Sequence, residues 1–233
     1  MTGSLGEFWL ALAAFLAAHS IPAAPALRGR LVALLGERLY LGLYSLLSLG
    51  LLVWLIAAAI NAPYTPLWPY QAWAPWVPAL VMPLAAVLMV SGLSAPNPLS
   101  VSFALGVPFD PQRPGIVAVT RHPVLWGFGL WAAAHIPPNG TLTKVIMFGL
   151  FAAFAFAGMA LVDFKQRLRL GAEEWRRLAA PTAIIPFAAV LAGRTGLRGP
   201  GLEWWRIGLA LLGYGALLAL HLPVIGRWPL PPL

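Results

Sequence analysis

The sequence contains no cysteine and few charged residues. The absence of cysteine among its 233 residues excludes disulfides, thiolate nucleophiles and cysteine-ligated metals. Charged residues make up only 9% of the chain and hydrophobic residues 60%, whereas a soluble domain has about 25% charged residues. Such a chain cannot cover itself with polar surface, so we expect most of its outside to face lipid. The net charge of +8 lies mainly between apolar segments, which indicates membrane orientation and no nucleic-acid partner.

Long apolar segments recur along the chain, and a helix needs about 20 such residues to cross a bilayer. The segment 184–192 is apolar but too short, so we expect it at the interface or dipping in and back. The sequence therefore predicts an all-α, polytopic transmembrane bundle, a single domain over 1–233, with the first span retained and not cleaved. The six predicted spans are 5–24, 39–60, 76–95, 122–137, 143–163 and 203–224.

Basic residues concentrate in alternate loops, which predicts the orientation of the chain. The positive-inside rule places these loops in the cytoplasm and both termini in the periplasm of a bacterial inner membrane. The basic residues of these loops are Arg28, Arg30, Arg38, Arg113, Arg121, Lys165, Arg167, Arg169, Arg176, Arg177, Arg194 and Arg198.

Four histidines lie within or beside the predicted spans: His19, His122, His135 and His221. Ionisable residues inside a span face the bundle interior and are functional hypotheses, and neutral imidazole is the usual axial ligand of haem iron. For His135, which follows the small-residue run GLWAAA, we favour the ligand role. His122 and His221 also fit an interfacial role.

For His19 a structural role stays open, because Pro22 breaks the helix nearby and frees carbonyls that His19 could satisfy. Depth adds a constraint on pairing His19 with His135. At a helical rise of 1.5 Å per residue, the two differ in depth by about 10 Å, so residue spacing alone does not select them as a pair.

Two further segments allow two interpretations each. The uncharged loop 61–78 is either an aromatic belt at the headgroups or a lid over an apolar pocket, with Trp68, Trp73 and Trp76 at its entrance. The segment 163–178 is either a solvated cytoplasmic helix with i,i+3 and i,i+4 ion pairs or the wall of a polar ligand site. We recognise no phosphate loop, zinc motif or Ser-His-Asp arrangement from residue spacing.

Three segments, 17–49, 115–136 and 163–175, together resemble the NnrU family. These integral membrane proteins are found beside nitrite and nitric oxide metabolism and include plant and cyanobacterial zeta-carotene isomerases. The resemblance implies a b-type haem bound through histidine and activity controlled by redox state. Carried over by position, the metal ligands and catalytic residues are His19 and His135, and we expect Arg121, His122 and Arg38 toward the propionates.

The implied activity is redox-dependent cis–trans isomerisation of a lipid-soluble polyene, served by a redox partner. Two alternatives stay open, namely a haem-dependent role in nitrite or nitric oxide metabolism and a non-enzymatic role in electron transfer or assembly. The plant isomerases carry a cysteine where this chain has Ala132, so a mechanism that needs a thiolate there is excluded.

A second resemblance, to isoprenylcysteine and phospholipid methyltransferases, rests on the R-H-P motif followed by an acidic-basic helix. It implies S-adenosylmethionine bound at the cytoplasmic face. The residues that would hold it are Arg121, His122, Glu173 or Glu174, and Arg177.

Overall fold

The computed structural model describes residues 3–20, 25–104 and 106–231, and within these ranges the regular structure is helical. Several helices begin at or just after a proline or glycine, as at Pro25, Gly36 and Gly171. In chain order the helices are α1 Leu5–Ser20, α2 Pro25–Leu35, α3 Glu37–Asn61, α4 Trp76–Ser94, α5 Ile116–Val119, α6 Pro123–His135, α7 Leu142–Leu170, α8 Ala172–Ala179, α9 Ala188–Leu191 and α10 Trp204–Ile225.

Four helices, α3, α4, α7 and α10, are long and apolar enough to cross a membrane. The predicted helical membrane bundle is thereby confirmed. The other two predicted spans form shorter helices, of 16 residues in α1 and 13 in α6. Helix α6 is short because it begins at Pro123 and ends just before Pro137-Pro138, and its axial rise is about 20 Å.

The spanning helices expose large apolar side chains. In α10 the exposed fraction is 83% for Trp204 and 74% for Leu212, and in α3 it is 68% for Leu46. A water-soluble monomer rarely exposes contiguous apolar surface on this scale. These faces therefore identify a membrane protein whose outer surface is solvated by lipid.

The chain divides into two compact units, of which the first comprises 1–69 and 140–147. Within it α1 and α2 pack against α3. The Thr143 hydroxyl, at the start of α7, donates to the carbonyl of Ala59 at 3.1 Å, which ties α7 to the end of α3. The helix break predicted at Pro22 lies outside the described residues.

The second unit comprises 70–139 and 148–233, and in it α4 packs against both α6 and α10. Pro83 lies inside α4 and has no N–H to donate to the carbonyl of Ala79. The Tyr214 hydroxyl of α10 donates to that carbonyl at 3.4 Å. Helix α10 thus supplies a hydrogen bond that α4 cannot make for itself, as an apolar environment requires.

Glycine allows close approach of α4 and α6. A Cβ atom on Gly127 would lie 2.5 Å from Met89 Cγ and 2.8 Å from the Ala85 carbonyl oxygen, and one on Gly92 would lie 2.8 Å from Pro123 Cγ. Small residues let membrane helices approach in this way. The small-residue face of α6 is therefore used at least in part for helix packing.

Gly127→Ala is expected to destabilise the second unit by about 1–3 kcal/mol, because the added methyl overlaps the backbone of α4. Gly149 in α7 is the matched control, since a Cβ atom there meets nothing within 4 Å. Thermal unfolding in detergent, followed by circular dichroism, should show a lower midpoint for Gly127→Ala only. Equal midpoints for the two variants would contradict this packing.

The predicted interfacial segment 184–192 forms a loop and the single turn α9. Ile185 and Leu191 are 69% and 84% exposed. Phe187 adopts the left-handed conformation, with φ 64°, and its N–H donates to the carbonyl of Val119 at 2.7 Å. The segment is therefore held against the second unit by its backbone while it presents apolar side chains outward.

Candidate functional site

Arg121 is buried just before α6, and both its backbone and its side chain bind other elements. Its backbone N–H donates to the carbonyl of Ala183 at 2.7 Å, and its own carbonyl accepts from Asn97 Nδ2 at 2.9 Å. The guanidinium donates through Nε to Thr182 Oγ1 at 2.9 Å and through NH1 to Asp163 Oδ2. It also lies over the Trp175 ring, 5.1 Å from the centroid.

His122 is fully buried beside Arg121 and lies between a serine and the same carboxylate. Its Nδ1 lies 2.8 Å from Ser100 Oγ, and its Nε2 lies 3.1 Å from Asp163 Oδ1. The second contact is an electrostatic one, since it is not aligned as a hydrogen bond. A carboxylate only accepts hydrogen bonds, so an imidazole that presents an N–H to Asp163 at Nε2 would accept from the Ser100 hydroxyl at Nδ1.

We call Ser100, Arg121, His122, Asp163 and Thr182 the Asp163 cluster. The side chain of Asp163 is 14% exposed, and those of Arg121 and His122 are 9% and 0% exposed. Buried charges need partners, and here one carboxylate faces one guanidinium and one imidazole through different oxygens. The cluster therefore fastens the entry to α6 onto the end of α7.

The loop after α8 closes over this entry. The carbonyl of Ile184 accepts from Thr120 Oγ1 and from Trp126 Nε1, both at 2.8 Å. Thr182 Oγ1 donates to the carbonyl of Ala179 at 2.8 Å while it accepts from Arg121. These bonds link the loop to the Arg121 guanidinium and to residues on both sides of His122.

His135 ends α6 in an aromatic environment. Its Nδ1 donates to the carbonyl of Trp131 at 2.7 Å, and its ring stacks on Phe148 with centroids 5.3 Å apart and 5.6 Å from Trp131. Asn139 Nδ2 donates to the His135 carbonyl at 2.8 Å. A histidine whose Nδ1–H is held by a carbonyl has a fixed orientation and presents Nε2, as metal-ligating histidines do.

His19 and Arg38, the other residues predicted at the haem, belong to the first unit. His19 Nδ1 donates to the carbonyl of Phe15 at 2.9 Å, and the two rings lie 4.1 Å apart. Arg38 is exposed at the start of α3. Pairing of His19 with His135 on one iron stays a prediction, and so does the approach of Arg38, Arg121 and His122 to propionates.

The residues predicted to hold S-adenosylmethionine fall into two sets. Arg121 and His122 are buried in the Asp163 cluster, whereas Glu174 and Arg177 pair on α8 with N–O distances of 2.8 and 2.7 Å. Hydrogen bonds from Arg177 hold the pKa of the Glu174 carboxyl below its usual value. Glu173 is exposed. Helix α8 thus has the ion pair expected of a solvated helix.

A polar cleft opens beside the Asp163 cluster. It has a volume of about 270 Å³, and its walls include Asn97, Ser100, Gln166 and Arg169. A second cleft, of about 290 Å³, lies around Asp110, Arg113 and Glu203.

Trp73 and Trp76 are 59% and 49% exposed, and the lid suggested for their loop stays a prediction.

Residue spacing misses the contact of Ser100, His122 and Asp163. No Ser-His-Asp arrangement is recognisable from residue spacing, yet folding brings these residues within 3.1 Å of their neighbours in the set. A lone aspartate at the end of an apolar run signals a buried cation partner, but nothing in the sequence marks Ser100.

In the part of the chain that the structure describes, no group of three or more His, Cys, Asp or Glu side chains could hold a metal ion.

Comparisons with known proteins agree on one family. The NnrU protein family matches residues 7–229. The chain is also 31% identical over 168 residues to 15-cis-zeta-carotene isomerase, chloroplastic, from Arabidopsis thaliana, a match that covers 69% of this chain and 44% of that protein. No solved structure matches. With nearly its whole length matched, the chain belongs to the NnrU family.

Proposed function

We propose that this protein isomerises a lipid-soluble polyene within the membrane and holds haem b at His135. The observation that carries the activity is the likeness to 15-cis-zeta-carotene isomerase. The lipid-facing helices support it, since a polyene dissolved in the bilayer reaches such a protein directly. The proposed setting is the bacterial inner membrane with both termini periplasmic.

The surroundings of His135 fit a flat, apolar prosthetic group. Phe128, Trp131, Phe148 and Phe151 form a continuous aromatic cluster next to the imidazole. The Trp131 carbonyl fixes the ring orientation and tautomer, which makes Nε2 the nitrogen able to ligate iron. When bound, haem would supply reversible electron transfer at its iron.

The chain's own residues have three tasks in this proposal. His135 binds the group and its Trp131 hydrogen bond keeps the imidazole oriented. The aromatic rings exclude water and offer flat faces to a conjugated chain. The Asp163 cluster keeps the start of α6 in place, and with it the helix that carries His135.

Two measurements test this function. Protein purified in detergent should be red and give a b-type pyridine haemochrome, and it should contain no covalent c-type haem because the chain has no cysteine. Membranes containing it should convert 15-cis-zeta-carotene in the dark under reducing conditions, which chromatography of the isomers would show, whereas membranes without it should not.

Each measurement has a result that would reject its part of the proposal. A protein that stays colourless after addition of hemin has no haem site. Haem-loaded protein that does not isomerise the polyene would reject the isomerase activity. The remaining role would then be electron transfer or assembly, including one in nitrite or nitric oxide metabolism.

A further inference from the structure

We propose that Ser100, His122 and Asp163 form a nucleophilic relay, opening into the polar cleft, that acts on carboxylic esters or thioesters. This activity is separate from polyene isomerisation and uses none of the residues around His135. A serine becomes a nucleophile when a base accepts its proton and a third group orients the base. Both relations are present in the Asp163 cluster.

The distances suit proton transfer. Ser100 Oγ and His122 Nδ1 are 2.8 Å apart, which is hydrogen-bond reach for a general base. His122 Nε2 faces Asp163 Oδ1 at 3.1 Å, so the carboxylate stabilises the imidazolium that forms when the serine proton is taken. Arg121 engages the other oxygen, Oδ2, and leaves Oδ1 to the histidine.

The relay connects a buried histidine with a serine that faces an open cleft. His122 is fully buried, while Ser100 is partly exposed and lies in the wall of the polar cleft. Burial holds the imidazole in one orientation. The cleft admits a substrate to the serine without opening the cluster.

The same cleft contains polar groups suited to a carbonyl substrate. Gln166 Oε1 is buried and has no hydrogen-bond partner within the described parts of the chain, so a substrate N–H or O–H would satisfy it. Arg169 donates one N–H to the Pro98 carbonyl at 3.0 Å. Its guanidinium has five N–H donors, which leaves others for the oxyanion of a tetrahedral intermediate.

The reaction balances with water as the only co-reactant. Ser100 Oγ bonds to the acyl carbon as its proton moves to His122 Nδ1. The bond from that carbon to the leaving oxygen or sulfur breaks, and the leaving group takes the proton. Water then attacks the acyl carbon and gives one proton to Nδ1. The bond from that carbon to Ser100 Oγ breaks, the acid is released, and Oγ takes the proton back from Nδ1. No electron is transferred.

A fluorophosphonate probe, which modifies activated serines, tests the relay on the full-length protein in detergent. Wild type should be labelled at Ser100, and Ser100→Ala should lose this labelling, because the oxygen that attacks the probe is absent. The control is Ser102→Ala, two residues along the same loop, whose hydroxyl donates to the Ala95 carbonyl at 2.6 Å. This variant should label as wild type does. An unlabelled wild type, or equal labelling of Ser100→Ala, overturns the proposal.

The absence of native cysteine allows a second test that holds even where Ser100→Ala fails to fold. Ser100→Cys introduces one thiol next to His122, and Ser102→Cys introduces one without an imidazole partner. The pH dependence of iodoacetamide alkylation gives each thiol pKa, and this value is independent of access to the thiol. We expect a pKa below about 7.5 for Ser100→Cys and about 8.5 for Ser102→Cys. Equal values overturn the relay and leave the isomerase proposal untouched.

Discussion

Replacing Asp163 with Ala is expected to lower the free energy of unfolding by about 3–5 kcal/mol, because it leaves a buried guanidinium without its partner. Arg121 is 9% exposed and depends on this carboxylate for charge compensation. In the same variant His122 Nε2 loses the carboxylate that faces it at 3.1 Å. The loss should appear as a lower midpoint in thermal or denaturant unfolding of the detergent-solubilised protein.

The chain provides a matched control on its own surface. Glu174 and Arg177 form the same type of ion pair on α8, and their side chains are 43% and 60% exposed. Glu174→Ala should cost much less stability than Asp163→Ala, because exposed ion pairs contribute little. Equal losses in the two variants would show that Asp163 does not compensate a buried charge.

A double substitution separates charge compensation from packing. Arg121→Met combined with Asp163→Leu removes both charges and keeps apolar volume. It should recover much of the stability that Asp163→Ala loses, since replacing a whole buried pair is often close to neutral. A double variant as unstable as the single one would assign the effect to lost hydrogen bonds and shape.

The sequence predicts the long helices well because hydropathy and helix breakers act locally. The predicted spans 39–60, 76–95 and 203–224 lie within two residues of α3, α4 and α10. Helix α7 extends from the predicted limit at 163 to Leu170, since hydropathy reports where the apolar run ends and not where the helix ends. The helix stops at Gly171, which has φ 82°.

Helices α6 and α2 depend on tertiary contacts that a hydropathy pattern does not report. The predicted fourth span, 122–137, is longer than α6, and the residues just before α6 are held by side chains of other elements. Helix α2 has 11 residues and contains Arg28 and Arg30, so it lacks an apolar run long enough to cross a bilayer and hydropathy does not predict it. Its helical state follows from packing against α3.

The polar site depends on contacts between residues distant in the chain, which a single sequence does not contain. The sequence shows Arg121, His122 and Asp163 separately, each as an ionisable residue near an apolar segment, where its burial costs free energy. It does not show that one carboxylate serves both basic side chains, or that Ser100 and Thr182 complete their hydrogen bonds. His135, in contrast, is predicted from the small-residue run that precedes it in the same helix, and its hydrogen bond to Trp131 is also local to that helix.

Replacing His135 with Ala is expected to remove most of the haem, because the proposed iron–Nε2 bond has no substitute in the aromatic cluster. Pyridine haemochrome absorbance per protein measures the loss. His221→Ala is the control, as this histidine is also on a helix in the second unit but donates Nδ1–H to the Arg227 carbonyl at 2.8 Å. It should keep wild-type haem content.

Two further readouts separate ligand loss from misfolding. Added imidazole should restore haem to His135→Ala, since a free ligand can occupy the space left by the side chain, whereas an unfolded protein would not respond. His19→Ala, at the other predicted ligand, should retain haem with a five-coordinate spectrum. The aromatic rings of Trp131 and Phe148 remain in His135→Ala and supply contact area but no axial nitrogen. Full haem retention by His135→Ala would therefore remove this residue as the ligand and with it the proposed haem site.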